Sequence, residues 1–272
     1  MTLSYLRNLL FLLDLFVVLV HSEDLNATGE AITTRFWDCC KPSCSWTGKA
    51  SFSHPVDTCN ATDDPIADFV TGTGCGTGGS AYTCSNQHPW SVNDTLSYGY
   101  AGIFLLNHPD TEAFWCCSCY QLDFTSDPLK GKSMIVQASN TAFDINTANR
   151  FSLAIPGGNT TSHDGCAKQY GVQESVFGQT NSGVASVDDC DNLPDNLQDS
   201  CRWRFDWFKD ALYPTVNFKR VVCPTDLTDK TGCIRTDEKA FADGQTSAAS
   251  APSSTSPLFA GLAAVLACLV LV

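Results

Sequence analysis

Fourteen of the chain's fifteen cysteines fall between Cys39 and Cys233, and the remaining one, Cys268, sits in an apolar tail. The fourteen are Cys39, Cys40, Cys44, Cys59, Cys75, Cys84, Cys116, Cys117, Cys119, Cys166, Cys190, Cys201, Cys223 and Cys233. An even set of this density belongs to an oxidising compartment, where thiols pair. Residues 1–22 supply the route there: Arg7 gives a positive start, Leu9 to Val20 form an apolar run, and Val20-His21-Ser22 offers a cleavage site. That run is interrupted by Asp14 and too short to cross a bilayer, so the mature chain is expected to begin at Glu23 with seven disulfides. Zinc at Cys116-Cys117-Ser118-Cys119 is the weaker reading, because oxidation removes the thiolates that zinc needs. No metal or cofactor is expected. Spacing alone leaves the pairings open.

The net charge of −13 argues against nucleic acid and anionic membrane surfaces as partners, and leaves neutral polysaccharide open. Sequons at Asn26, Asn60, Asn93 and Asn159 fit an extracellular surface. The segment Thr33 to Trp46, Thr-Thr-Arg-Phe-Trp-Asp-Cys-Cys-Lys-Pro-Ser-Cys-Ser-Trp, sets Asp38 among three cysteines and two tryptophans. A pinned carboxylate beside Trp37 and Trp46 suits sugar chemistry, since pyranose rings stack on aromatic faces and paired carboxylates cleave glycosidic bonds. A disulfide knot whose aspartate pairs with Arg35 fits the same spacing.

Ser133 to Ala138, Arg150 to Ile155 and Val216 to Val222 read as strands, and Pro156-Gly157-Gly158 as a turn. Trp203, Phe205 and Trp207 alternate with Arg204 and Asp206, which reads as a buried barrel strand in preference to a sugar-binding strip. The whole is a mainly β, disulfide-rich domain over residues 33–240, after an N-terminal segment, 23–32.

The motif at Thr33 to Trp46 resembles the signature of family 45 glycoside hydrolases, which are endo-β-1,4-glucanases (cellulases). The resemblance continues through Gly78-Gly79-Ser80-Ala81-Tyr82-Thr83-Cys84, Trp90 to Asp94, Trp115 to Tyr120, Ile155 to Gly158, Asp164-Gly165-Cys166 and Arg202 to Phe208. It implies a six-stranded double-psi β-barrel with a long open groove, all fourteen cysteines paired, and an inverting mechanism on β-glucan. It also implies Asp38 as base, with Phe36, Trp37, Lys41 and Trp46 lining the substrate path.

Two positions depart from the family pattern. The strand that carries the family's acid reads Phe151-Ser152-Leu153-Ala154-Ile155-Pro156-Gly157-Gly158, so the acid position is Ser152, and a serine hydroxyl is too weak an acid to replace a carboxyl. Alternation along this strand predicts that Ser152 faces the groove. Phe36 stands where the family usually has tyrosine. Asp144 resembles a further aspartate on a loop over the groove and is the best substitute acid, ahead of Asp164. Three readings follow: a weak endoglucanase using Asp38 and Asp144, a catalytically impaired β-glucan-binding protein, and an expansin-like wall-loosening protein. The first is favoured because Asp38 and the groove framework are intact. A monomer is expected.

Beyond residue 240 the chain turns to a Ser/Ala/Pro-rich spacer (241–257) and then fifteen apolar residues, Leu258 to Val272, with no basic residue after them. Small residues, a polar spacer and an apolar end match a GPI-attachment signal, with Ser247 the preferred attachment residue and Gly244 second. The expected location is the extracellular face of the plasma membrane or the cell wall.

Overall fold

Along Thr215–Val221, Val216, Phe218 and Arg220 are buried while Thr215, Asn217 and Lys219 are exposed, the two-residue period of a half-buried strand. This computed structural model describes residues 26–106, 108, 112–143, 147–159 and 164–250, without the side chains of 246–250. The leader 1–22, Asp144 and the tail 258–272 lie outside the described residues, as does the side chain of Ser247.

The strands are β1 (Thr28–Phe36), β2 (Thr58–Cys59), β3 (Pro65–Ile66), β4 (Tyr82–Thr83), β5 (Trp90–Ser91), β6 (Leu96–Phe104), β7 (Cys119–Phe124), β8 (Ser133–Thr141), β9 (Arg150–Ala154) and β10 (Thr215–Val221). The α-helices are α1 (Glu112–Trp115), α2 (Gly165–Tyr170), α3 (Asp195–Asp206), α4 (Thr225–Thr231) and α5 (Glu238–Ser250). Six strands pair in the order β6-β8-β7-β10-β1-β9, and β9 pairs back onto β6, so the sheet closes into a barrel. The β1–β9 and β6–β8 pairs are parallel and the other four antiparallel. Closure leaves none of these six strands as an open edge, and the barrel is filled with side chains. Tyr120, Phe151 and Phe218 meet inside it with ring centroids 5.2 to 6.2 Å apart. The expected six-stranded, mainly β barrel is thus present.

Every residue of β9 is buried. Its alternation therefore separates barrel core from covered groove floor, whereas that of β10 separates core from water.

The stretch Trp203 to Trp207 is not a strand. It forms the end of α3 and its C-terminal cap, Trp207, and within α3 Leu197, Cys201 and Arg204 are buried at helical spacing. Trp203 and Trp207 stack at 5.5 Å, as residues four apart on one helix face do. Aromatics at every second position misled because Phe205 lies partly out of the core while Trp203 and Trp207 turn in.

Seven disulfides tie the loops to the barrel: Cys39–Cys166, Cys40–Cys75, Cys44–Cys116, Cys59–Cys84, Cys117–Cys233, Cys119–Cys223 and Cys190–Cys201. The packed unit reaches past both expected boundaries. Strand β1 starts at Thr28, and Phe241 in α5 is buried against the Arg220 guanidinium at 4.4 Å. Among the described residues no helix is long and apolar enough to cross a membrane.

Candidate active site

The end of β1 is sewn to the turn after β9. Ile155 N–H donates to Phe36 O and Trp37 N–H to Asn159 O, both at 2.9 Å. Asp38 follows directly, and the chain then turns through Cys39 in a left-handed conformation (φ 59°). Disulfides from Cys39 and Cys40 fix that turn to α2 and to Cys75. Cys40 N–H donates to Asp38 Oδ1 at 3.0 Å, a charge-assisted bond that orients the carboxylate. Arg35, the alternative partner considered for Asp38, forms its ion pair with Asp210 at 2.7 Å and donates from Nε to Gly158 O.

Asp38 lines an open cavity of about 330 Å³ together with Phe36, Phe143, Arg150, Ser152 and Asn159. The floor is a row across three strands, since Ser152 is in register with Thr34 on β1 and with Gly102 on β6. Ser152 and Asp38, far apart in sequence, thus line one cavity. Arg150 is buried beneath it and donates from Nε and Nη2 to Thr34 Oγ1 at 2.9 and 2.8 Å.

Other residues proposed from sequence are placed differently. Trp37 is 2% exposed and packs in the core, so its ring offers no outward stacking face. The Lys41 ammonium donates to Phe69 O and Thr71 O at 2.6 and 2.9 Å and lies 3.6 Å over the Trp46 ring. Burial lowers its pKa, against the opposing charge of Asp68. Lys41 therefore holds the 69–71 loop and covers one face of half-buried Trp46. Asp164 pairs with Lys168 at 2.8 Å beside α2.

Of the sequon asparagines, Asn60 and Asn93 sit in surface turns, where each side-chain oxygen accepts from the Thr two residues on. Asn26 Oδ1 accepts from exposed Gln245, whereas Asn159 is half-buried in the cavity wall.

Sequence reading passed over Phe143, Arg150 and Glu174. Phe143 is 57% exposed at the cavity rim, against Phe104. Its signal was its place directly before Asp144. The Glu174 carboxyl is pushed up by burial and by the charges of Asp164 and Asp38, while the Ala167 N–H that it accepts pulls it down. Among the described residues no group of three or more His, Cys, Asp or Glu side chains could hold a metal ion.

The Glycosyl hydrolase family 45 model matches residues 30–234, which span the closed barrel and the cavity beside Asp38. The chain belongs to glycosyl hydrolase family 45. Its relatives in that family include a putative endoglucanase type K of Fusarium oxysporum, 46% identical over 215 residues, covering 79% of this chain and 56% of the relative. An endoglucanase of Cryptopygus antarcticus is 44% identical over 209 residues, covering 77% of this chain and 91% of the relative. The crystal structure of cellulase from that Antarctic springtail matches with a TM-score of 0.72 at 44% identity, over 77% of this chain and 99% of the other.

Proposed function

We propose that this protein is a secreted endo-β-1,4-glucanase of the inverting type, acting on internal bonds of cellulose or a related β-glucan. The observation that carries the reading is Asp38, oriented by Cys40 N–H on the wall of an open cavity that it shares with Ser152. An open trench admits a chain at any point along its length, as endo-action requires.

In an inverting reaction one carboxylate takes a proton from water as that water attacks the anomeric carbon, and a carboxylic acid on the opposite side protonates the leaving oxygen. The two groups stand about 6.5–9.5 Å apart, leaving room for the water. Asp38 is the base in this scheme. At the family's acid position the Ser152 hydroxyl cannot supply the proton. Asp144, which follows the rim residue Phe143, is the substitute acid. The scheme gives a weak enzyme.

Reducing-sugar release from soluble β-glucan by the purified mature domain tests this. Release abolished by Asp38→Ala supports the enzyme, and binding of the glucan without any release would replace it with a β-glucan-binding protein. The apolar end of the sequence supports attachment through GPI near Ser247. Release from intact cells by a phosphatidylinositol-specific phospholipase is the expected result, and release by detergent alone would exclude it.

A further inference from the structure

The cavity beside Asp38 shares part of its lining with a neighbour. Arg35, Arg150 and Asn159 also line a second cavity of about 200 Å³, whose far side is Phe208, Leu212 and Tyr213. Leu212 and Tyr213 are 68% and 64% exposed, an adjacent leucine and tyrosine held in water. Single exposed apolar residues are ordinary. This pair is unusual in how it is held.

The loop that carries it is clamped at both ends. Asp210 Oδ1 accepts from Arg35 Nη1 and Arg204 Nε, both at 2.7 Å. Pro214 O accepts from Thr33 N–H at 3.0 Å and from Thr33 Oγ1 at 2.9 Å. Between the clamps Tyr213 takes a left-handed φ of 50°, which a bulky residue adopts only when its surroundings impose it. The Tyr213 ring is therefore presented by a rigid support at low entropic cost.

The second cavity suits a neutral ligand. The guanidinium of Arg35 is engaged by Asp210 and Gly158 O, and Arg150 donates from Nε and Nη2 to Thr34 Oγ1, so both side chains are held in place as parts of the wall. A pyranose ring has an apolar C–H face for stacking and equatorial hydroxyls for polar rims, here Asn159 and Asn181. We propose that Tyr213, with Leu212 beside it, is a stacking platform for a glucosyl unit remote from the cleaved bond, and that the trench continues past Arg35, Arg150 and Asn159 to reach it. This rests on the β-glucan reading above, and its occupant is the same substrate chain.

The test is calorimetric titration of cellohexaose into wild-type protein, Tyr213→Ala and Tyr213→Phe, with thermal midpoints confirming that the exposed position leaves the fold unchanged. Tyr213→Ala is expected to bind about tenfold more weakly and Tyr213→Phe within about twofold of wild type, because the ring face makes the contact. On soluble β-glucan KM should rise in Tyr213→Ala while kcat stays within about twofold, the signature of lost binding remote from the chemistry. Equal affinity of wild type and Tyr213→Ala overturns the platform while leaving the endoglucanase reading intact. Equal losses in the alanine and phenylalanine variants overturn stacking as its basis. Failure of the wild type to bind cellohexaose at all overturns the β-glucan reading, and the platform with it.

Discussion

Gly165 lies against the backbone carbonyl of Asp38: a Cβ at position 165 would sit 2.5 Å from that oxygen and 2.4 Å from Cys75 Sγ. Asp38 is in the tied turn and Cys75 is bonded to it through Cys40, so neither can yield without disturbing the turn that fixes the carboxylate. Gly165→Ala should therefore lower stability by about 1–3 kcal/mol, as overpacking does. It should also reduce glucan hydrolysis by more than the unfolded fraction explains. Denaturant unfolding and initial rates on the same preparation separate the two effects.

Ser152 lines the same cavity as Asp38, in register with Thr34 and Gly102. Restoring the carboxyl by Ser152→Asp should raise hydrolysis of soluble β-glucan by ~10²–10⁴, the contribution expected of a general acid. The gain should be much smaller on an aryl glycoside whose leaving group needs little protonation, and the product should still form by inversion. A folded but unimproved variant would move attention to Phe36 or to the shape of the trench.

The disulfides close loops of very different length. Cys39–Cys166 spans 127 residues and Cys190–Cys201 spans 11. In the chain-entropy account, replacing the first pair with serines should cost about 2 kcal/mol more than replacing the second. It should also impair catalysis, because Cys39 adjoins Asp38. Equilibrium unfolding of both double variants measures the difference, and alkylation of the native protein should find no free thiol between Cys39 and Cys233.

Glu174 provides a pH dependence of known sign. Its carboxyl is raised above 4.5 chiefly by burial, with the charges of Asp164 and Asp38 adding and the Ala167 N–H opposing. A carboxyl raised in the folded state binds protons more tightly there than in the unfolded chain, so its contribution favours folding at low pH and is lost as pH rises through the folded value. Glu174→Gln keeps an acceptor for Ala167 and removes the titration. The thermal midpoint of this variant should fall less than that of wild type as pH rises above about 4.5. Parallel curves would show that Glu174 contributes nothing to the slope.

The sequence determined a good part of this protein. The even cysteine set pointed to a disulfide-tied domain, alternation located β8, β9 and β10, and the ordered motifs pointed to the family. These are local or pairwise properties of the chain, written in residue type and spacing. What only the tertiary structure decided is where each side chain ends up once remote segments meet. Trp37 reads as a stacking face but is buried, because the end of β1 is sewn to Asn159 and turns the ring into the core. Lys41 reads as a groove cation but spends its charge on the carbonyls of Phe69 and Thr71. Trp203 and Trp207 read as a strand but stack on one helix face, since a period of two over five residues cannot be told from helical spacing until neighbours are known. The trench wall joining Asp38, Arg150, Ser152 and Asn159 depends on closure of the barrel, which no local pattern encodes.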